Sequence, residues 1–221
     1  MANRYAQFSD MVTVNSIHEL SNDETSILKD LIGKSLIAIK CSGADLTSGL
    51  LHYDFIDAVN LVLKGKDGFI SVSAEFDETN FGDDFIKINI TKEKYPIGIN
   101  VHEQGGLQHP FVNLEIFPEF LIKKIEVYGD SYSCHSDNNI EERYWQIEIN
   151  NPGKSITEII ETENIIVFHS ANGRLMIRPY GAVPWIQVTF DNHLIDQVLL
   201  NTNNEGQYVT KLKHDLNENW A

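Results

Sequence analysis

Two stretches of this chain follow one pattern, and that pattern restricts the fold more than anything else in the sequence. From Asn60 to Ile90, and again from Asn164 to Asp191, an apolar strand leads through a glycine-containing turn into a return strand and then, after a loop, a third strand. VNLVLKGKDGFISV (59–72) parallels ENIIVFHSANGRLMI (163–177), the second copy having one extra residue before the turn. Asp67-Gly68 matches Asn172-Gly173, and both dipeptides favour tight hairpins because they tolerate positive φ. FIKINI (85–90) parallels WIQVTF (185–190), each alternating apolar and polar with the period of two that marks a half-buried strand. An earlier strand precedes each copy, SLIAIKC in the first and KIEVY in the second. The pattern predicts two copies of one antiparallel β-unit. A single small sheet cannot bury its apolar face alone, so the two units should pack against each other.

The rest of the chain fits around those units. Ser21 followed by Glu24 has the form of a capping box, and Ile27, Leu28, Leu31 and Ile32 then recur at helical spacing before Gly33. This predicts a helix from about 22 to 32. Met11–Val14 reads as a short strand or an extended arm, 118–123 as a short helix, and Ser131–Glu142 as a polar loop. Leu194–Leu200 reads as a second short helix and Tyr208–Leu212 as a last strand, followed by a frayed polar tail. The prediction is an α+β fold, mostly antiparallel β, with two similar hairpin-plus-strand units and one N-terminal helix. Pro96, Gly98, Gly105, Gly106, Pro110 and Pro118 interrupt the middle of the chain. They divide it into 1–103, a β-unit with the helix, and 104–221, a second β-unit, packed as one compact body.

Charge narrows the partner class. There are 32 acidic residues against 17 lysines and arginines, a net charge of −15. Such a chain repels nucleic-acid phosphates and anionic membrane surfaces, and its field steers basic partners toward it. No apolar run approaches the roughly 18 residues of a membrane span. Cys41 and Cys134 are too few and too far apart for a disulfide framework. Together with an N-terminus that lacks a signal-peptide core, this predicts a reduced, cytoplasmic protein, and the abundance of Asn, Ile and Lys gives it a bacterial cast.

No catalytic, metal or cofactor motif is present. The eight histidines show neither H-x₃-H nor H-E-x-x-H spacing, and there is no G-x-S-x-G, P-loop or G-x-G-x-x-G. Two places stand out instead. Asp67 to Asp84 contains Asp67, Glu75, Asp77, Glu78, Asp83 and Asp84 with no lysine or arginine. DETNFGDD lacks the spacing of a calcium loop, so Glu75, Asp77, Glu78, Asp83 and Asp84 are expected to form an exposed acidic loop that docks a basic surface. Arg174, Arg178, Tyr180 and Trp185 form the one basic, aromatic place, where Arg178 and Tyr180 could anchor an interface. Trp185 opens an alternating strand, which predicts a core position for it.

A small, acidic, motif-free chain of this β-unit style resembles the toxin-immunity class of proteins. That resemblance implies a stoichiometric protein, not an enzyme, that neutralises a basic partner without a cofactor. Two other readings remain open from the residues: a metal-dependent enzyme using clustered carboxylates, and a structural or adaptor protein that associates through strand edges.

Overall fold

A computed structural model of the chain describes residues 11–42, 44–45, 51–56, 58–78, 84–97, 111–136, 155–180, 185–200 and 208–217. Within them, β-strands dominate and two helices accompany them. In chain order these are β1 (Met11–His18), α1 (Asn22–Leu31), β2 (Ser35–Ser42), β3 (Ala44–Asp45), β4 (His52–Ile56), β5 (Ala58–Leu63), β6 (Phe69–Glu78) and β7 (Asp84–Glu93). There follow β8 (Phe111–Leu121), β9 (Lys124–Ser136), β10 (Ser155–Ser170), β11 (Gly173–Tyr180), β12 (Trp185–Thr189), α2 (Asn192–Leu199) and β13 (Tyr208–Asn217).

The strands form two sheets. The smaller runs β7-β6-β5-β2-β8, and the larger runs β13-β9-β10-β11-β12-β4-β3. The order β8-β2-β5-β6-β7 in the first is the order β13-β9-β10-β11-β12 in the second: fifth, first, second, third and fourth strand of each run. Among the described residues, ladders are antiparallel except one. β1 lies parallel to β10, from Met11 opposite Ser155 to His18 opposite Thr162, and β11 takes over the same edge of β10 from Ile166 onward. Chain segments cross between the sheets, since β8 pairs with β2 while β1, β3 and β4 extend the larger sheet.

Period-two alternation explains the core. Val59 and Leu61, Ile70 and Val72, and Ile88 and Ile90 project from the smaller sheet. Ile125 and Val127, Ile166 and Phe168, Leu175 and Ile177, and Ile186 and Val188 project from the larger. All belong to one buried cluster, and Leu28 and Leu31 of α1 join it. A fully buried leucine, isoleucine or phenylalanine contributes about 1.5–3 kcal/mol, so this cluster is the main stabilising term. On the other face of the larger sheet, Ile195 and Val198 of α2 cover Ile165, Val167 and Met176. Asp191 caps α2 by accepting from the His193 and Leu194 amides.

Several local expectations are corrected. Residues 118–121 continue strand β8 because they pair with β2, and 131–136 continue β9 because β10 and β13 flank them. His214–Asn217 belongs to β13 instead of a frayed tail. In the second hairpin the turn residues are Ala171 and Asn172, since Gly173 already pairs with Ser170. Trp185 is 37% exposed at a strand end, not a core residue. The Tyr144–Ile149 segment lies outside the described residues. No helix among the described residues is long and apolar enough to cross a membrane.

Candidate functional site: an acidic cleft at the start of α1

Four of the acids read from the sequence as a loop, Glu75, Asp77, Glu78 and Asp84, lie on strands. β6 runs on to Glu78 and β7 begins at Asp84, so Glu75 lies opposite Lys87 and Glu78 opposite Asp84. Glu75 and Asp77, two residues apart, share one face of β6, and Lys87 bridges them at 3.0 and 2.8 Å. The side chain of Asn89 and then Lys87 hold the Glu75 carboxyl below its ordinary range. Hydrogen bonds to Asp77 and Glu75 raise the Lys87 ammonium above its own. Asp83 and the side chains of Glu78 and Asp84 lie outside the described residues.

The chain leaving β1 closes the other wall. Ser21 caps α1: its Oγ accepts from the Glu24 amide at 3.2 Å, and Glu24 Oε2 accepts from the Ser21 amide at 2.9 Å. Glu24 Oε1 reaches further and accepts from the Ile90 amide at 2.9 Å, tying α1 to β7, the edge strand of the smaller sheet. Beside it, Glu163 marks the point where β1 gives way to β11 along β10, next to a register shift against β9. Its side chain is 4% exposed. It accepts from the Leu20 amide at 2.9 Å, and His214 Nε2 lies 2.9 Å from its other oxygen.

These parts enclose a cleft of about 280 Å³, bounded by His18, Glu19, Glu24, Asp77, Lys87 and Glu163. It adjoins a wider hollow reached past Asp23 and Glu75 and sharing Ser21, Glu24 and Asn89 with it. Six carboxylates from four segments therefore face one region: Glu19, Asp23, Glu24, Glu75, Asp77 and Glu163. Among the described residues that line it, Lys87 and Lys92 are the lysines that oppose them, and Lys92 is bonded to Asp30. Glu19 and Asp23 are exposed, and their side chains make no hydrogen bond or ion pair among the described residues.

His18 sits at the cleft wall, stacked on Phe85 with ring centroids 3.8 Å apart. Its Nε2 is buried without a partner. Burial pushes its pKa down, Asp77 nearby pushes it up, and the net direction is down. That direction favours the neutral imidazole.

The remaining sequence-derived candidates lie elsewhere. Arg178, on β11 of the larger sheet, donates from Nε to Gln187 Oε1 at 2.8 Å. Tyr180 pairs through its backbone with Trp185, and its side chain is not described. Arg174 is bound to Asp196 and Asn192 at α2. Arg174 and Arg178 thus lie on β11 of the larger sheet, and Glu75 and Asp77 on β6 of the smaller.

A second polar cluster contrasts with the cleft. On the α2 side of the larger sheet, Glu126 is 13% exposed and takes Lys124 at 2.6 Å, the Tyr128 hydroxyl at 2.9 Å and His169 Nε2 at 2.7 Å. Burial raises the Glu126 pKa, but those three hydrogen bonds outweigh it and hold the carboxyl below its ordinary range. Burial, then the bond to Glu126, pushes the Tyr128 hydroxyl up to about 12. With its oxygens engaged, this network reads as structural.

Among the described residues, no three His, Cys, Asp or Glu side chains converge as a metal site. Sequence reasoning missed Glu163, His18 and Lys87 as parts of the cleft. It recognised Glu24 only as a cap, because its bond to Ile90 spans 66 residues. Compared with protein-family models, curated proteins and solved structures, the chain has no match.

Proposed function

We propose that this protein is a stoichiometric binder, not an enzyme, which neutralises a basic protein partner by taking cationic side chains into the acidic cleft. The toxin-immunity type of inhibitor, acting in a bacterial cytoplasm, is the form of this activity that the chain fits best. The observation that carries the reading is that six carboxylates from β1–α1, α1, β6 and β10, with two lysines, line the cleft and the hollow that adjoins it. A net charge of −15 adds a long-range field that speeds encounter with a cation and repels nucleic acid. Glu19 and Asp23 carry the readiest charges, being exposed and unpaired among the described residues. Glu75 and Asp77 are held in register by Lys87, so an incoming arginine or lysine competes with a cation already in place. The shared strand order of the two sheets supports a further part of the reading, that they arose by duplication of one β-unit.

The test is growth rescue by co-expression with basic toxin domains, beginning with any encoded beside this gene. The native chain should restore growth, and E19Q/D23N/E75Q/D77N should not. Binding measured in parallel should weaken as salt is raised. Full rescue by the quadruple variant would remove the cleft from the account.

A further inference from the structure

The opposite end of α1 opens on a groove of a different kind. It lies between the last turn of the helix, the 64–68 turn and the end of β7, and encloses about 760 Å³. That is within the roughly 300–1,000 Å³ of small-molecule sites. Its floor is apolar: Leu31, Leu63 and Ile70 line it and are 1%, 9% and 7% exposed. Its rim carries Lys34, Lys66, Lys92 and Lys94.

That rim runs against the rest of the molecule. The chain has nearly two acids for every base, yet four lysines face three acids here, and one of those, Asp30, is bonded to Lys92 at 2.7 Å. The side chains of Lys34 and Lys66 make no hydrogen bond or ion pair among the described residues. Lys94 lies 5.4 Å from the centre of the Tyr95 ring. Compensation of the negative helix end accounts for a lysine near the last turn, such as Lys34. It does not account for Lys66 and Lys94, which come from the β-hairpin and from beyond β7. The end wall is firm: Gly68 has φ 87°, and a Cβ there would lie 2.5 Å from the Glu93 carbonyl oxygen, so the turn packs directly on β7.

The geometry points to this groove as a binding site for a small amphiphilic anion. The apolar chain or ring lies over Leu31, Leu63 and Ile70, and a carboxylate, phosphate or sulfonate head sits among Lys34, Lys66 and Lys94. Burying the chain supplies the affinity, and the lysines select the sign of the head. The site is independent of the acidic cleft and stands whether or not the cleft binds a basic protein.

The experiment uses the full chain and 8-anilinonaphthalene-1-sulfonate, an aromatic sulfonate whose fluorescence rises on leaving water. Decanoate and decyl phosphate, below their micelle concentrations, serve as competitors, and decyltrimethylammonium as the cationic control. The expected result is one saturable site, displaced by either anion but not by the cation, with at least tenfold weaker dye binding in K34Q/K66Q. Both lysines are exposed, so K34Q/K66Q should keep the native circular dichroism and Tm. Dye binding that fails to saturate, equal affinity in K34Q/K66Q, displacement by neither anion, or equal displacement by decyltrimethylammonium would each overturn the site.

Discussion

The two ends of α1 are opposite in charge and opposite in construction. At its start, Asp23 and Glu24 of the first turn stand with Glu19, Glu75, Asp77 and Glu163 around the acidic cleft and the hollow beside it. At its end, Lys29 occupies the last turn, and Lys34 beyond it lines the groove with Lys66, Lys92 and Lys94. The helix dipole favours this polarity, by about 0.3–1 kcal/mol for each charge in a terminal turn. It reaches no further than those turns, and most of the charges at both ends come from strands and turns. The larger difference is wiring. Four of the six cleft carboxylates accept hydrogen bonds or ion pairs that join separate segments. In the groove, the side chains of Lys34 and Lys66 hold no partner among the described residues. Substitutions in the cleft therefore mix structural and binding effects, whereas substitutions of the groove lysines should isolate binding.

The largest expected effect sharpens that contrast. Glu163→Ala leaves the Leu20 amide and His214 without their buried acceptor and should cost about 3 kcal/mol. By urea unfolding and calorimetry this appears as a lower midpoint and a Tm lower by roughly 6–12 °C. Glu163→Gln, which keeps an acceptor for Leu20, should lose less. An unchanged Tm in Glu163→Ala would break the claim that this carboxylate joins β10 to the start of α1.

Glu24→Ala comes next. It removes half of the capping box and the bond to Ile90, for an expected loss of about 2 kcal/mol. Amide exchange should show where: faster exchange at Ile90 separates the loss of the β7 tie from a simple loss of helix cap.

A pH series probes the same wall. The folded-state pKa of His18 lies below its ordinary value, so as pH falls through 6.5 the unfolded chain takes up a proton before the folded one does. The associated stability is present above pH 6.5 and is lost as pH falls toward the folded value. His18→Phe keeps a ring against Phe85 and removes the unpartnered nitrogen, so its Tm should fall less between pH 7.5 and 5.5 than that of the native chain. Equal slopes would contradict this. Glu75 and Glu126 act lower, since both are held below the ordinary carboxylate range, and their contribution is lost as pH falls below about 4.3.

The smallest expected effect is at the other end of the helix. K34Q/K66Q should change unfolding free energy by no more than about 0.5 kcal/mol, the range of ordinary surface substitutions. A larger loss would mean that these lysines are structural and would erase the contrast between the two ends.

Local pattern made part of this architecture legible. Alternation in FIKINI and WIQVTF identified β7 and β12, and Ile88 and Val188 do face the core. Pairing was not legible in the same way. Nothing in MVTVNSIH says that it lies parallel to a strand some 140 residues away, because edge pairing is set by what remains unfilled after other strands associate. The extent of β6 was hidden by acid content: Glu75 and Asp77 read as loop until Lys87 is opposite them to neutralise their face. Glu163 gave no local sign at all. One of the two glutamates in ETENIIVF becomes a buried acceptor only because β1 ends where β11 begins.

The central claim is that cationic groups dock in the cleft at the start of α1. The most direct measurement is an amide chemical-shift titration of the labelled chain with a hexa-arginine peptide at moderate salt. The account expects the shifts to concentrate on Glu19–Glu24, Glu75–Asp77 and Lys87–Asn89, and to fade in E19Q/D23N/E75Q/D77N. Shifts spread evenly over the acidic surface, or centred around Arg178 and unchanged in that variant, would contradict it.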